Sequence, residues 1–264
     1  QAVLIDPTNL FDSYFDLDQE TLAYVESWPL IVTRRSPVGS RPPANYKLVY
    51  TNEYYDGWAR QSTPKVLAHL PLEGEVLGHT AWQGAAIPAC ATLASLVKGA
   101  PRGSEVVQAT VPPSTGFLIL TAKTRPFSWG FDSNPFDSVT AVGPGSVEQV
   151  VDVPANGDYQ AWVQGSFSRP ISVLVGGHKV GSVDGLDSRD QWEQAGTVRL
   201  SAGRHEIEIF RGGGRIYPGD GSTIDEVGYV MLKRVGPEVL HTVPLSRWRS
   251  LCGEVADWIE LVRP

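Results

Sequence analysis

The sequence predicts a mainly β protein with a small α/β part, in which an antiparallel β-sandwich is inserted in, or follows, a small α/β domain. Three observations lead there. Apolar and polar residues alternate along 159–163, 171–175, 197–200 and 205–210, and a period of two belongs to half-buried strands. Between those runs stand Gly-Ser-Phe-Ser-Arg-Pro (165–170), Gly-Gly-His (176–178) and Ser-Ala-Gly (201–203), turn chemistries that let an antiparallel sheet reverse. Finally, 27 glycines and 20 prolines against 19% charged residues describe a turn-rich β chain.

The 264 residues suffice for two domains or one large β domain, and 42% hydrophobic residues supply an ordinary core. The formal net charge of -7 argues against a nucleic-acid partner, because phosphate binding needs a basic surface. No apolar run is long enough to span a bilayer, and the opening QAVLIDPTNL lacks the charged start and apolar core expected of a signal peptide.

Taken in order, residues 16–28 read as a short amphipathic helix capped by Asp18, with Leu22 and Val25 on one face and Pro29 as the stop. Residues 30–33 follow as a strand. The Pro-rich stretch 36–45 fits neither helix nor ladder strand, and 46–50 with 54–60 flank a turn of hairpin length at 51–53. Short apolar pieces occupy 66–72 and 75–77. Residues 87–98 place Ile87, Cys90, Ala94 and Val97 at helical spacing, with Gly99 as the stop.

Ala-Pro-Arg-Gly at 100–103 is the best domain boundary in the sequence. It gives a small α/β domain over 1–103, completed by 237–264, and a β-sandwich over 104–236. In the sandwich, 106–111 and 117–122 read as the first strands, 124–144 as a long connection rich in aromatics, 211–225 as a glycine-rich loop, and 228–235 as a closing strand. The tail 257–262 is rich in strand formers and needs a sheet edge to pair with.

No motif carries catalysis. Gly212 to Gly214 lack the Lys-Ser/Thr and helix of a phosphate loop, no Gly-x-Ser-x-Gly elbow occurs, and the histidines are scattered. The chain's two cysteines, Cys90 and Cys252, have no metal-ligand spacing; they read as a disulfide if the protein is exported, and otherwise as two buried thiols.

Three segments carry a resemblance: GDYQAWVQGSF (157–167), VLVGGHKVG (173–181), and the W-x-x-x-G-T-V-x-L-x-A-G-R-H-E-I-E-I pattern (192–209). Together they resemble the galactose-binding-like jelly rolls of non-catalytic carbohydrate-binding modules, over roughly residues 105–234. A second likeness encloses the first. WPLIVTRRSPVGSRPPANYKLVYTNEYYDGWAR (28–60) and LCGEVADWIELVRP (251–264) are similar to the soluble extracytoplasmic region of actinobacterial membrane glycosyltransferase-like proteins.

These resemblances imply non-catalytic binding of a cell-wall glycan by a soluble region tethered outside the cytoplasm to its own membrane-embedded part. A protein-interaction domain and a polysaccharide hydrolase are the alternatives. A sugar ring packs its C–H face on an aromatic and takes bidentate hydrogen bonds from planar polar groups. The expected ligand set is therefore Trp129, Arg189, Asp190, Trp192, Arg211, Arg215, Tyr217, Asp220 and Asp225, gathered from the three long loops of the sandwich. Trp162, in a strand interior, reads as packing. A structural calcium ion held by Glu148, Asp152, Asp220 and Asp225 stands against the simpler reading of surface carboxylates.

Overall fold

The computed structural model describes residues 16–72, 85–122, 124–132, 138–185, 191–213, 225–236 and 239–264. The chain divides into two compact units, one built on residues 16–111 and 239–264 and the other on 112–236. No described helix is long and apolar enough to cross a membrane.

The smaller unit begins with a 3-10 turn, Leu17–Gln19, and helix α1, Leu22–Val25. Asp16 accepts from the Asp18 amide, so the expected single helix over 16–28 divides into two turns, and Thr21 rather than Asp18 caps the second by accepting from the Tyr24 amide. Strands β1 (Leu30–Arg34), β2 (Tyr46–Thr51) and β3 (Tyr55–Arg60) form an antiparallel sheet in the order β1-β3-β2. The β2–β3 hairpin closes on Asn52, whose Oδ1 accepts from the amides of Tyr54 and Tyr55. Tyr46, Trp58, Ile31 and Val25 form the core beneath this sheet.

Strand β4 (Lys65–Pro71) is followed by helix α2 (Cys90–Val97), which starts later than its apolar spacing suggested because Pro88 disfavours helical backbone at Ile87. Leu93, not Ile87, is its buried anchor; Ile87 is exposed. Gly99 then takes φ +76, the left-handed conformation that glycine adopts without a Cβ clash. The apolar piece expected at 75–77 lies outside the described residues.

Strand β5 (Glu105–Thr110) corrects the domain boundary. Its alternation fits a strand of either unit, but its hydrogen-bonded neighbours belong to the smaller one, and the junction falls at 111/112 instead of 103/104.

The sandwich follows. Strand β6 (Ser114–Leu118) runs into a 3-10 turn at Ile119–Thr121, and the stretch read as a long connection contains two short strands, β7 (Trp129–Asp132) and β8 (Ser138–Ala141). Four residues are too few for their alternation to stand out. Then come β9 (Gly145–Val153), β10 (Gly157–Ser166), β11 (Ile171–Val175), β12 (His178–Val183), β13 (Trp192–Leu200), β14 (Gly203–Arg211) and β15 (Asp225–Arg234). Among the described residues, one sheet has the order β13-β10-β15-β8-β7 with β6 also on β15, and the other β12-β11-β14-β9. All pairs are antiparallel, as a β-sandwich of jelly-roll type requires. Strand β15, read as a closing strand, is instead central and buried along most of its length.

The alternating residues Tyr159, Ala161 and Val163 of β10 and Ile207 and Ile209 of β14 meet in one core with Ile171, Val173 and Trp129. Where β12 approaches β13, glycines make the contact possible: a Cβ on Gly181 would strike the Ala195 carbonyl oxygen, and one on Gly196 would lie 2.6 Å from that of Val180.

The chain then returns to the smaller unit through β16 (Val239–Pro244), a 3-10 segment Leu245–Leu251, and the tail strand β17 (Trp258–Arg263). β17 lies between β5 and β4, with β16 on the far side of β5. Cys90, opening α2, is disulfide-bonded to Cys252, just past the 3-10 segment, with Cα atoms 5.4 Å apart.

Candidate functional site

The sequence-predicted ligand residues divide into three groups. Arg189, Asp190, Arg215, Tyr217 and Asp220 lie outside the described residues. Trp129 and Trp192 are 1% and 2% exposed. Trp129 packs in the sandwich core and its Nε1–H donates to the Gly143 carbonyl at 2.9 Å, so it is an interior anchor with its polar atom satisfied, not an aromatic floor. Trp192 pairs in register with Gln164 at the start of β13 and is likewise covered. Trp162 is buried too, in keeping with its packing role.

Arg211 and Asp225 correct the expectation differently. Alternation along β14 turns Arg211 inward beside Ile207 and Ile209, and Asp225 opens β15 in the facing sheet. They form a buried ion pair through Arg211 Nε and Asp225 Oδ2 that links the two sheets. Asp225 Oδ1 also accepts from the Ser168 amide and hydroxyl, both at 2.6 Å, and from the Arg169 amide at 3.1 Å. A carboxylate that accepts this many protein donors fastens the β10–β11 turn and is not presented to a sugar.

The calcium set does not fit either. Glu148 and Asp152 are exposed on one strand, four residues and therefore about 13 Å apart, while Asp225 is enclosed. Asp220 lies outside the described residues, and among those described no group of three acid, histidine or cysteine side chains could hold a metal.

What the sandwich does present is the outward face of the β12-β11-β14-β9 sheet. Phe210, 43% exposed, stands in register between Ser146 of β9 and Ser172 of β11. The next outward row pairs Glu148 with Glu208. One apolar ring bracketed by two hydroxyls, with two carboxylates a row away, offers a stacking surface surrounded by hydrogen-bonding groups. The signal lay in the sequence: the alternation that sends Ile207 and Ile209 inward sends Glu208 and Phe210 outward.

The smaller unit holds a polar cluster that sequence reading missed. His69 on β4 is set between two carboxylates, its Nδ1 2.8 Å from Glu260 Oε1 and its Nε2 3.1 Å from Asp18 Oδ1. Burial alone would lower its pKa, but hydrogen bonds to Asp18 and Glu260 outweigh that and raise it to about 9, so both ring nitrogens donate. The surrounding carboxylates grip the Pro-rich stretch. Asp16 accepts from the Ser40 amide, Asp257 from the Ser40 hydroxyl and Arg41 amide, and Glu260 from the Ala44 amide, at 2.7–2.8 Å.

Burial pushes Asp16, Asp257 and Glu260 above their usual carboxylate range. Nearby Asp18 adds to the rise in all three, and His69 partly opposes it at Glu260. Because the Ser40 hydroxyl donates to Asp257 and not to His69, the cluster lacks the nucleophile–base contact of a hydrolytic triad. It is built to hold the Pro-rich stretch against β17.

No family model matches the chain, and no curated protein matches it. Among solved structures, the chain is similar to a carbohydrate-binding module, CBM36, in complex with calcium and xylotriose: 20% identity, 45% of this chain and 98% of that one, TM-score 0.37. It is similar to the CBM36-1 domain of a multidomain xylanase from the hindgut metagenome of Trinervitermes trinervoides, at 17% identity over 47% of this chain and all of that one, TM-score 0.38. It is also similar to a family 35 carbohydrate-binding module from Clostridium thermocellum, at 18% identity over 50% of this chain and 98% of that one, TM-score 0.29. The fold class itself rests on the strand pairing described above.

Proposed function

We propose that the sandwich unit binds glycan without catalysing its turnover, and that the chain is the extracytoplasmic soluble region of a membrane glycosyltransferase acting on cell-wall polysaccharide. The observation that supports the reading is the outward row Ser146, Phe210, Ser172 with Glu148 and Glu208 beside it. A pyranose or furanose ring lays its C–H face on Phe210 while its hydroxyls exchange water for the serines and carboxylates. Each exchange gains little, so binding is weak; the module acts by holding acceptor glycan near a membrane-embedded active site and raising its effective concentration.

The test is calorimetric titration with arabinan, galactan and mannan fragments, comparing the parent with Phe210→Ala and Glu208→Gln. Loss of binding in both, with an unchanged melting temperature, supports this face; unaltered binding in both removes it. A second reading, a protein-interaction domain, is favoured by the burial of Trp129 and Trp192, and it predicts no heat with any glycan. Release of reducing ends would instead identify a hydrolase.

A further inference from the structure

The four-stranded sheet of the smaller unit, β16-β5-β17-β4, has one end defined by its register: Pro244 lies opposite Glu105, Glu105 opposite Val262, and Arg263 opposite Lys65. The other end holds Thr110, Val239 and Pro71. From Pro244 the 3-10 segment runs away to Cys252, whose disulfide meets the start of α2 at Cys90, and α2 brings the chain back to Lys98 and through 99–104 into Glu105. The stretches that flank this end, 61–65, 98–105, 244–247 and 262–264, carry five cations, Lys65, Lys98, Arg102, Arg247 and Arg263, against one acidic side chain, Glu105. All five cations are exposed. Among the described residues, none of the five side chains takes a hydrogen bond or an ion pair.

In a chain of net charge -7 this excess of positive charge is local. Like charges gathered without counter-charge raise a positive potential over that end, and such a potential draws in an anionic partner. The surrounding residues say which kind. An acidic protein would add an apolar or aromatic anchor to the contact, and single-stranded nucleic acid would stack its bases on aromatics. The four flanking stretches contain no aromatic residue, and their Ala100, Leu245 and Val262 are buried or half-buried. What remains is a set of point charges on flexible stems, distributed over five segments of chain. That arrangement matches an array of anionic lipid headgroups, which attracts each nearby Lys or Arg separately and needs neither anchor nor stack.

We propose that this end of the smaller unit rests on an anionic lipid surface, with Lys65, Lys98, Arg102, Arg247 and Arg263 against headgroup phosphates. This goes beyond the glycan reading, which concerns the sandwich, and is tested apart from it.

The experiment is flotation of the full 264-residue chain with phosphatidylcholine vesicles, with and without phosphatidylglycerol, at low and high salt. The expected result is binding to the anionic vesicles that weakens with salt. Lys98→Gln or Arg247→Gln alone lowers the partition coefficient about fivefold and the two together about twenty-five-fold, because each cation contributes separately. Lys179→Gln with Arg204→Gln removes two exposed cations of the sandwich, changes the net charge by the same amount and leaves the partition coefficient as it was. Every variant keeps the parent's circular dichroism spectrum, since the side chains replaced are exposed. No flotation with the anionic vesicles, equal flotation with both kinds, binding indifferent to salt, or an equal loss in the sandwich variant would each overturn the proposal. So would a salt-sensitive self-association that Lys98→Gln with Arg247→Gln abolishes, since the basic end would then meet an acidic face of a second copy.

Discussion

At the scale of single residues, the buried charges separate fastening from recognition. Arg211 and Asp225 are both almost wholly enclosed and linked to each other. Their pairing is more a specification of sheet alignment than a source of net stability, but removing one partner strands the other. Asp225→Ala should therefore cost roughly 3–5 kcal/mol in urea unfolding, whereas replacing both by apolar residues of matching size should cost much less. His69 gives a pH prediction. Its ordinary value of 6.5 is raised to about 9 in the folded protein, so its contribution is complete below pH 6.5 and is lost as pH climbs through 9. The carboxylates Asp16, Asp257 and Glu260, raised by burial, act in the same sense from their ordinary range upward. The unit's unfolding free energy should fall between pH 6.5 and 9 by an amount on the order of 3 kcal/mol, read as a declining melting temperature, and His69→Gln should flatten that part of the profile.

At the scale of elements, close approach and cross-linking decide what the strands tolerate. Gly181 on β12 faces the backbone of β13 with no room for a side chain. Gly181→Val should push the strands apart and destabilise the sandwich by about 1–3 kcal/mol, read as a lower denaturation midpoint with little change in m-value. Gly176 and Gly177, at φ +57 and +78 in the β11–β12 turn, have open space around them, so a substitution there costs backbone strain alone. The Cys90–Cys252 bridge closes a loop of 162 residues between α2 and the last 3-10 segment. Reduction should cost about 2–5 kcal/mol, and alkylation of the denatured, unreduced chain followed by mass measurement should find neither thiol modified.

At the scale of the whole molecule, the sandwich's sequence is inserted between two paired strands of the smaller unit. Strands β5 and β16 are antiparallel neighbours, and Thr110 lies directly opposite Val239. On the sandwich side, Ser114 lies opposite Lys233, so entry and exit are adjacent there as well. Each unit has its own core. Replacing residues 111–238 by Asn-Gly should therefore leave a two-residue hairpin joining β5 to β16. The shortened protein should melt cooperatively, retain the disulfide and still show the decline between pH 6.5 and 9. A chain that is unfolded after this excision would mean that the smaller unit needs the sandwich for stability.

The sequence by itself determined the local conformations and their sidedness. Alternation along 159–163 and 205–210 fixed both the strands and which residues face inward, glycines and Asn52 fixed the reversals, and Gly99 marked the end of α2. These depend on neighbours within a few positions, and steric preference and amphipathic period act over that range. Tertiary structure alone decided partnership. Strand β5 reads equally well for either unit until β16 and β17 take its edges; Trp129 and Trp192 sit in segments that read as loop or strand start until sheets close over them. Asp16, Asp18, His69, Asp257 and Glu260 come from both ends and the middle of the smaller unit's sequence and converge only when β17 inserts between β4 and β5. Their chemistry arises from desolvation and mutual charge at close range, and sequence separation carries no information about either.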